Sequence, residues 1–312
     1  MRYKMKKIFL LVVVTLSSYV VHAQQDVLLS QYMFNHLVIN PGYAGSKDYM
    51  MATLLYRKQW VGWTGAPESQ ALSLHGPLRN KNLGFGVSLL NDHIGVTSRV
   101  DLYGDLAYHL KLNQKLKIGF GLQGGFAYYS YKNSDLLYWE QNDKVYAEST
   151  QTNILPNVGA GAFLYAEKFY VGLSVPHMLD YNTKKGLSIQ SATIVPHQTR
   201  HYFVSGGFVF TANPDVIIRP SVLLKYVPSA PLEADFNVNV MFMRTFWIGV
   251  SYRTNDATVA IFELQLSRKL RIGYSYDFTM TDINDYSSGS HEIMLGYDFG
   301  HDLVKMRTPR YF

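Results

Sequence analysis

Five stretches of this 312-residue chain alternate apolar and small or polar residues in step. Leu116, Ile118, Phe120 and Leu122 alternate with Lys117, Gly119, Gly121 and Gln123. Phe236, Val238, Val240 and Phe242 repeat the pattern, as do Phe246, Ile248, Val250 and Tyr252. Leu270, Ile272, Tyr274, Tyr276 and Phe278 form a fourth run, and Ile293, Leu295, Tyr297 and Phe299 a fifth. A period of two puts all the apolar side chains of a strand on one face. A soluble sandwich turns that face inward, whereas a membrane barrel turns it onto lipid. Three features favour the barrel. The strands reach about ten residues, the length a tilted crossing requires. Aromatic residues collect near strand ends, where interfacial girdles lie. The charges fall on the opposite face, where a lumen can solvate them. Lipid offers no partner to an unpaired strand edge, so the sheet must close.

The pattern predicts an all-β fold, a transmembrane antiparallel β-barrel of about 14 strands, preceded by an N-terminal periplasmic or luminal segment. Strands are expected near 48–57, 68–77, 82–91, 97–111, 115–131, 153–165, 168–175, 198–211, 215–227, 232–243, 245–253, 257–267, 269–279 and 289–300. Every second connection is short; the intervening ones are mostly longer, as with periplasmic turns and outside loops. With fourteen strands, this long/short pattern places both chain ends in the periplasm.

The N-terminus reads as an export signal. Arg2, Lys4, Lys6 and Lys7 precede the apolar run Ile8–Leu16, and Val21-His22-Ala23 supplies small or medium residues for cleavage after Ala23. The run is short for a helical span, and no later stretch approaches ~18 consecutive apolar residues. The expected organisation is signal 1–23, N-terminal plug-like segment 24–47, barrel 48–300 and periplasmic tail 301–312. The signal carries much of the formal charge of +6, so no basic nucleic-acid surface is implied. The absence of Cys excludes a lipoprotein anchor, disulfides, cysteine-based zinc sites and cysteine nucleophiles.

Motifs that resemble catalytic signatures read as wall or turn. Gly119-Phe-Gly121-Leu-Gln-Gly124 matches GxGxxG, but dinucleotide binding needs a strand before and a helix after. Here the glycines fall within an alternating strand and read as close packing or coiling of the wall. Ser288-Gly-Ser-His291-Glu292 reads as turn chemistry before the last strand, and no GxSxG elbow occurs. The histidines lack HxH or HExxH spacing. No catalytic residue, cofactor or metal is expected, and the chain is not read as an enzyme.

Two segments carry candidate contacts. Gln31-Tyr32-Met-Phe-Asn35 and Asn40-Pro41-Gly-Tyr-Ala-Gly-Ser46 combine aromatic residues with turn formers ahead of the first strand. They form either a linker or a plug or docking element. The loop Gln59–Pro67 holds Trp60 and Trp63, two of the four tryptophans. Trp60 fits an interfacial belt and Trp63 a contact with a protein partner. The candidate partner-binding residues are therefore Gln31, Tyr32, Asn40, Pro41, Trp60, Trp63, Pro67 and Asp92, with the outside loops at 92–95 and 132–152 beside them.

The chain resembles the PorP/SprF family of outer-membrane proteins of the type IX secretion and gliding apparatus of Bacteroidetes-type bacteria. The resemblance rests on QYMFNHLVINPGYAGS (Gln31–Ser46), YRKQWVGWTGAPES (Tyr56–Ser69), NLGFGVSLLNDHIG (Asn82–Gly95) and FYVGLSVPH (Phe169–His177). RHYFVSGGF (Arg200–Phe208), GVSYRTNDA (Gly249–Ala257), GYSYDF (Gly273–Phe278) and SGSHEIMLGYDF (Ser288–Phe299) continue it in the family's order. It implies a barrel in outer-membrane lipid that works with other type IX secretion components. For some members it implies holding the C-terminal domain of a secreted adhesin at the surface. A passive pore for small solutes is the alternative reading of the barrel.

Overall fold

The computed structural model describes residues 27, 29–79, 82–132, 150–181, 198–228 and 230–299. The expected signal with its Ala23 site, the tail after 300 and most of the loop 132–152 lie outside the described residues.

The alternating segments form one antiparallel sheet. It opens with β1 (Met50–Lys58), β2 (Glu68–Pro77), β3 (Leu83–Ile94), β4 (Thr97–Lys111) and β5 (Lys117–Tyr131). It continues through β6 (Gln151–Tyr165), β7 (Phe169–Val175), β8 (Tyr202–Phe208), β9 (Phe210–Asn213) and β10 (Val216–Tyr226). The last five are β11 (Glu233–Phe242), β12 (Phe246–Arg253), β13 (Ala257–Gln265), β14 (Leu270–Thr279) and β15 (Ser290–Phe299). Neighbours in sequence pair throughout, and β1 pairs with β15 from Met50↔Phe299 to Lys58↔His291, which closes the cylinder. Both β8 and β9 pair with β10, because one wall strand is interrupted at Val209. The wall therefore has the expected fourteen strands.

The faces are inverted relative to a soluble protein. Leu122 is 68% exposed and Val250 56%, while Arg57, Arg253, Glu263, Asp277 and Glu292 are buried. Lipid takes the outer apolar face without cost, and the charges find counter-charges inside. No helix among the described residues is long and apolar enough to cross a membrane; the strands make the crossings.

Most expected boundaries shift by one to three residues, and β3 runs on to Ile94, so the outside loop expected at 92–95 is strand up to a tight turn at Gly95 and Val96; the largest difference is at β8. The strand expected from 198 starts at Tyr202, just beyond the last rung of its ladder with β7, Ser174↔Phe203. Gln198 bridges Tyr181, and Arg200 donates from Nε to the Met178 carbonyl at 2.7 Å. These bonds hold the backbone away from a ladder with β7.

Short turns at 78–82, 112–116, 166–168, 214–215, 243–245 and 266–269 share one end with the start of β1 and the close of β15. The connections 59–67, 132–150, 176–201 and 280–289 share the other, the long-loop end.

Candidate functional site

Residues 29–46 lie inside the barrel. Three single turns of 3-10 helix, Tyr32–Phe34, His36–Val38 and Pro41–Tyr43, compact the segment. Such turns suit a chain with few neighbours of its own kind, since each closes over three residues. Leu37 and Ala44 are fully buried and Tyr32 is 1% exposed. Their partners come from strands around the whole wall, so the segment occupies the lumen.

The middle of the segment is seated on glycines. Asn40 accepts a hydrogen bond at Oδ1 from Gly42 N at 2.8 Å, capping the turn that Pro41 begins. Its Nδ2 donates to the Ala162 carbonyl at 3.1 Å and reaches the Leu173 carbonyl at 3.4 Å. A side chain on the wall is excluded here. A Cβ at Gly121 would lie 2.2 Å from the Pro41 carbonyl carbon, and one at Gly161 would lie 2.2 Å from Asn40 Oδ1. The wall glycines of β5 and β6 thus open a cradle for the Asn-Pro-Gly turn, a use beyond wall packing alone. Ser174 Oγ adds a hydrogen bond to the Ile39 carbonyl.

Toward the short-turn end, His109 Nε2 donates to the Ala44 carbonyl at 2.8 Å. That fixes the neutral tautomer, with Nδ1 free to accept from Tyr165 OH at 3.1 Å. Across the lumen, the Arg219 guanidinium packs against both Phe34 and Trp247, 4.7 and 4.8 Å from the ring centroids. Cation–π contacts of this desolvated kind contribute about 2 kcal/mol. Asn237 Nδ2 donates to Tyr32 OH at 2.6 Å, and Ser73 Oγ donates to Asn35 Oδ1 at 3.0 Å.

Toward the long-loop end, the Glu292 carboxylate accepts from two successive backbone amides, Ser30 N at 2.7 Å and Gln31 N at 2.8 Å. Arg57 donates from Nη1 to Ser30 Oγ and from Nη2 to Asp277 Oδ2, both at 2.7 Å. Ser30 Oγ in turn lies 2.8 Å from Asp277 Oδ2. Arg253 links Asp277 to Asp235 and Asp256, with contacts of 3.8, 3.0 and 3.0 Å. The result is a buried, paired charge network that clasps the segment.

His36 sits at the centre of the segment, with its ring centroid 4.7 Å from that of Tyr170 and 5.3 Å from that of Tyr43. Neither ring nitrogen has a hydrogen-bond partner among the described residues. Burial, and then the positive charges of Arg219 and Lys47 with His75 nearby, lower its pKa to about 3. A released segment returns His36 to about 6.5, so above that pH the group is neutral in both states and favours neither. Below 6.5 the released state binds the proton and the docked state does not. Docking is therefore expected to weaken by about 2 kcal/mol between pH 7 and pH 5. Proteolysis of residues 29–46 in detergent should accelerate over that interval, and His36→Asn should reduce the response. Equal protection of the wild-type segment at both pH values would contradict it.

The candidate residues divide between lumen and rim. Gln31, Tyr32, Asn40 and Pro41 are buried in the segment's contacts with the wall. Asp92 is also buried and accepts from Ser69 Oγ at 2.5 Å. Trp60 is half-buried, with its backbone N–H donating to Ser290 Oγ at 3.2 Å, and Pro67 is buried at the foot of the same loop. Trp63 is 47% exposed and meets Tyr286, 72% exposed, edge to face at 6.0 Å. Val61 N–H donates to the Gly289 carbonyl and Ser288 N–H to the Val61 carbonyl, so the two loops form one rim.

Ser290 points inward and is buried, while the neighbouring His291 accepts or donates at Tyr274 OH on the outer side. The two residues therefore form no nucleophile–base pair. Among the described residues no cluster of metal-ligating side chains occurs. Residues missed from sequence are Arg57, Asp277 and Glu292, together with Arg219 and the cradle glycines. The signal was the phase of alternation: each charge occupies an inward position and so requires an inward counter-charge.

The family profile described as type IX secretion system membrane protein PorP/SprF matches residues 21–297. The chain belongs to this family. This PorP/SprF barrel is thus an outer-membrane protein of the type IX secretion class. Among solved structures it is similar to the CymD monoaromatic hydrocarbon channel, with TM-score 0.51, 12% identity, and 87% of this chain and 93% of that chain covered. It is also similar to Omp33 of Acinetobacter baumannii, with TM-score 0.47, 8% identity, and 82% and 100% covered. At 12% identity the likeness to CymD is one of fold alone. Comparison with curated proteins gives no match to this chain.

Proposed function

We propose that this PorP/SprF barrel is a non-enzymatic docking or anchoring barrel. It holds a secreted surface protein, of the adhesin kind, by its C-terminal domain at the long-loop end. The short-turn end then faces the periplasm and other secretion components. The observation that carries this reading is that residues 29–46 are buried inside the barrel against its wall, which favours a scaffold over an open conduit. The rim around Trp63, Pro67 and Asp92 is the assigned docking side. The buried Gln31, Tyr32, Asn40 and Pro41 contribute by fixing the segment beneath it.

Purification from the native outer membrane, with mass spectrometry of bound proteins, tests the proposal. A large surface protein recovered through its C-terminal region supports it. A large steady conductance in planar bilayers, with no bound protein, supports the passive pore instead. Trp63→Ala should weaken the recovered complex by roughly thirty-fold in Kd, the loss of a rim aromatic worth about 2 kcal/mol. An unchanged Kd would remove Trp63 from the interface.

A further inference from the structure

The inside segment has a direction. Gly45 N donates to His75 Nδ1 at 3.3 Å, and His75 pairs with Met51, the second residue of β1. Ser73, which holds Asn35, pairs with Thr53, higher on the same strand. Arg57, which holds Ser30, is one residue from the end of β1 at the long-loop rim. Read backwards from β1, the chain climbs from the level of Met51 through Thr53 to Arg57. Six residues of strand are roughly 20 Å, or about 15 Å of height at a tilt near 40°.

The other charges at the top agree with this direction. Glu292 is the third residue of β15 and Asp277 the third from the end of β14, both counted from the long-loop end. Both carboxylates meet Ser30. Val27 lies only three residues further upstream and packs against the apolar luminal cluster. No return to the short-turn end is built into these contacts. Retracing the barrel would take residues 27–29 through a lumen already filled by Tyr32, Phe34 and Leu37.

We infer that the amino-terminal end of the luminal segment, at Val27, opens at the long-loop mouth of the barrel, opposite the end where β15 stops. This differs from the expectation that both termini share the short-turn side: β1 begins there, but the segment before it does not stay there. The amino-terminal side of the segment thus joins Trp63 and Tyr286 at the rim assigned to docking, as a further element for a partner to meet. The inference concerns the two ends of the cylinder. It holds whichever way the cylinder sits in the membrane and whatever docks on it.

The absence of cysteine provides the test. Single-cysteine variants are made at Val27, at the exposed long-loop residue Asn284 and at the exposed short-turn residue Asn113. Intact cells and lysed cells are treated with a membrane-impermeant maleimide. A short epitope tag inserted between Asp26 and Val27 is read in parallel by antibody, in case the cysteine is too buried to react. The expected result is that position 27 is labelled, or the tag bound, in the same preparation that labels Asn284→Cys. Position 27 behaving as Asn113→Cys does would overturn the inference. Labelling of Asn113→Cys but not Asn284→Cys in intact cells would reverse the proposed orientation and leave this inference standing.

Discussion

Gly121→Val should conduct more than the parent barrel. The added side chain would enter the space of Pro41 C and Gly42 N, at 2.2 and 2.3 Å from its first carbon, and backbone atoms cannot swing aside. Overpacking of this kind costs about 1–3 kcal/mol. Moving the turn also strips the Asn40 amide from the Ala162 and Leu173 carbonyls, leaving buried polar groups that cost about 1–3 kcal/mol more. The wall keeps its ladder, so the relief is release of the segment. Gly124→Val is the control, because a Cβ there meets nothing within 4 Å. Bilayer recordings should show a larger open level for Gly121→Val than for Gly124→Val. Matching records, with residues 29–46 equally protected from protease, would mean the cradle does not hold the segment.

Arg57→Met should be the most destabilising single change in the upper lumen. Arg57 and Asp277 are each 2% exposed at the side chain and Glu292 is fully buried, so removing the guanidinium leaves Glu292 with its two backbone amides alone and Asp277 with only Ser30 Oγ and Arg253 at 3.8 Å. Breaking a buried pair in this way costs about 3–5 kcal/mol. The same change removes the Ser30 Oγ contact and loosens the segment where it is clasped. The urea midpoint of the detergent-folded protein should fall, and part of the loss should return in the double variant Arg57→Met/Glu292→Gln, which removes one stranded charge. A double variant less stable than the single would show that Glu292 matters for its two amide bonds to Ser30 and Gln31 more than for its charge.

The wall was legible because lipid enforces a simple rule. Phe236, Val238 and Ile248 must face hydrocarbon, so their period of two survives in the sequence without interference from tertiary packing. The strand limits of β2 (Glu68–Pro77) and β4 (Thr97–Lys111) match their expected bounds. Loop length then assigned the two ends. The interior was less legible, since its contacts join residues far apart and follow no period. Nothing local marks Glu292 as the acceptor for Ser30 and Gln31, and it stood next to His291 in a stretch read as turn chemistry. Gly121 and Gly161 were visible as inward glycines, but the chain that fills their space lies about eighty and a hundred and twenty residues upstream. The position of Trp63 on the rim was legible; its edge contact with Tyr286 depends on how two loops meet.

The pairing of β1 with β15 has a kinetic consequence. It joins Met50 to Phe299, and the bond from Ser30 to Glu292 spans 262 residues. Contacts so distant along the chain form late, since the loop entropy of everything between them opposes them. Until Ser290–Phe299 arrives, the sheet has two raw edges and the start of the luminal segment lacks its carboxylate. These ten residues, the last stave of the cylinder, therefore finish two tasks in one event. A nascent barrel stopped short of them would be both unsealed and unclasped.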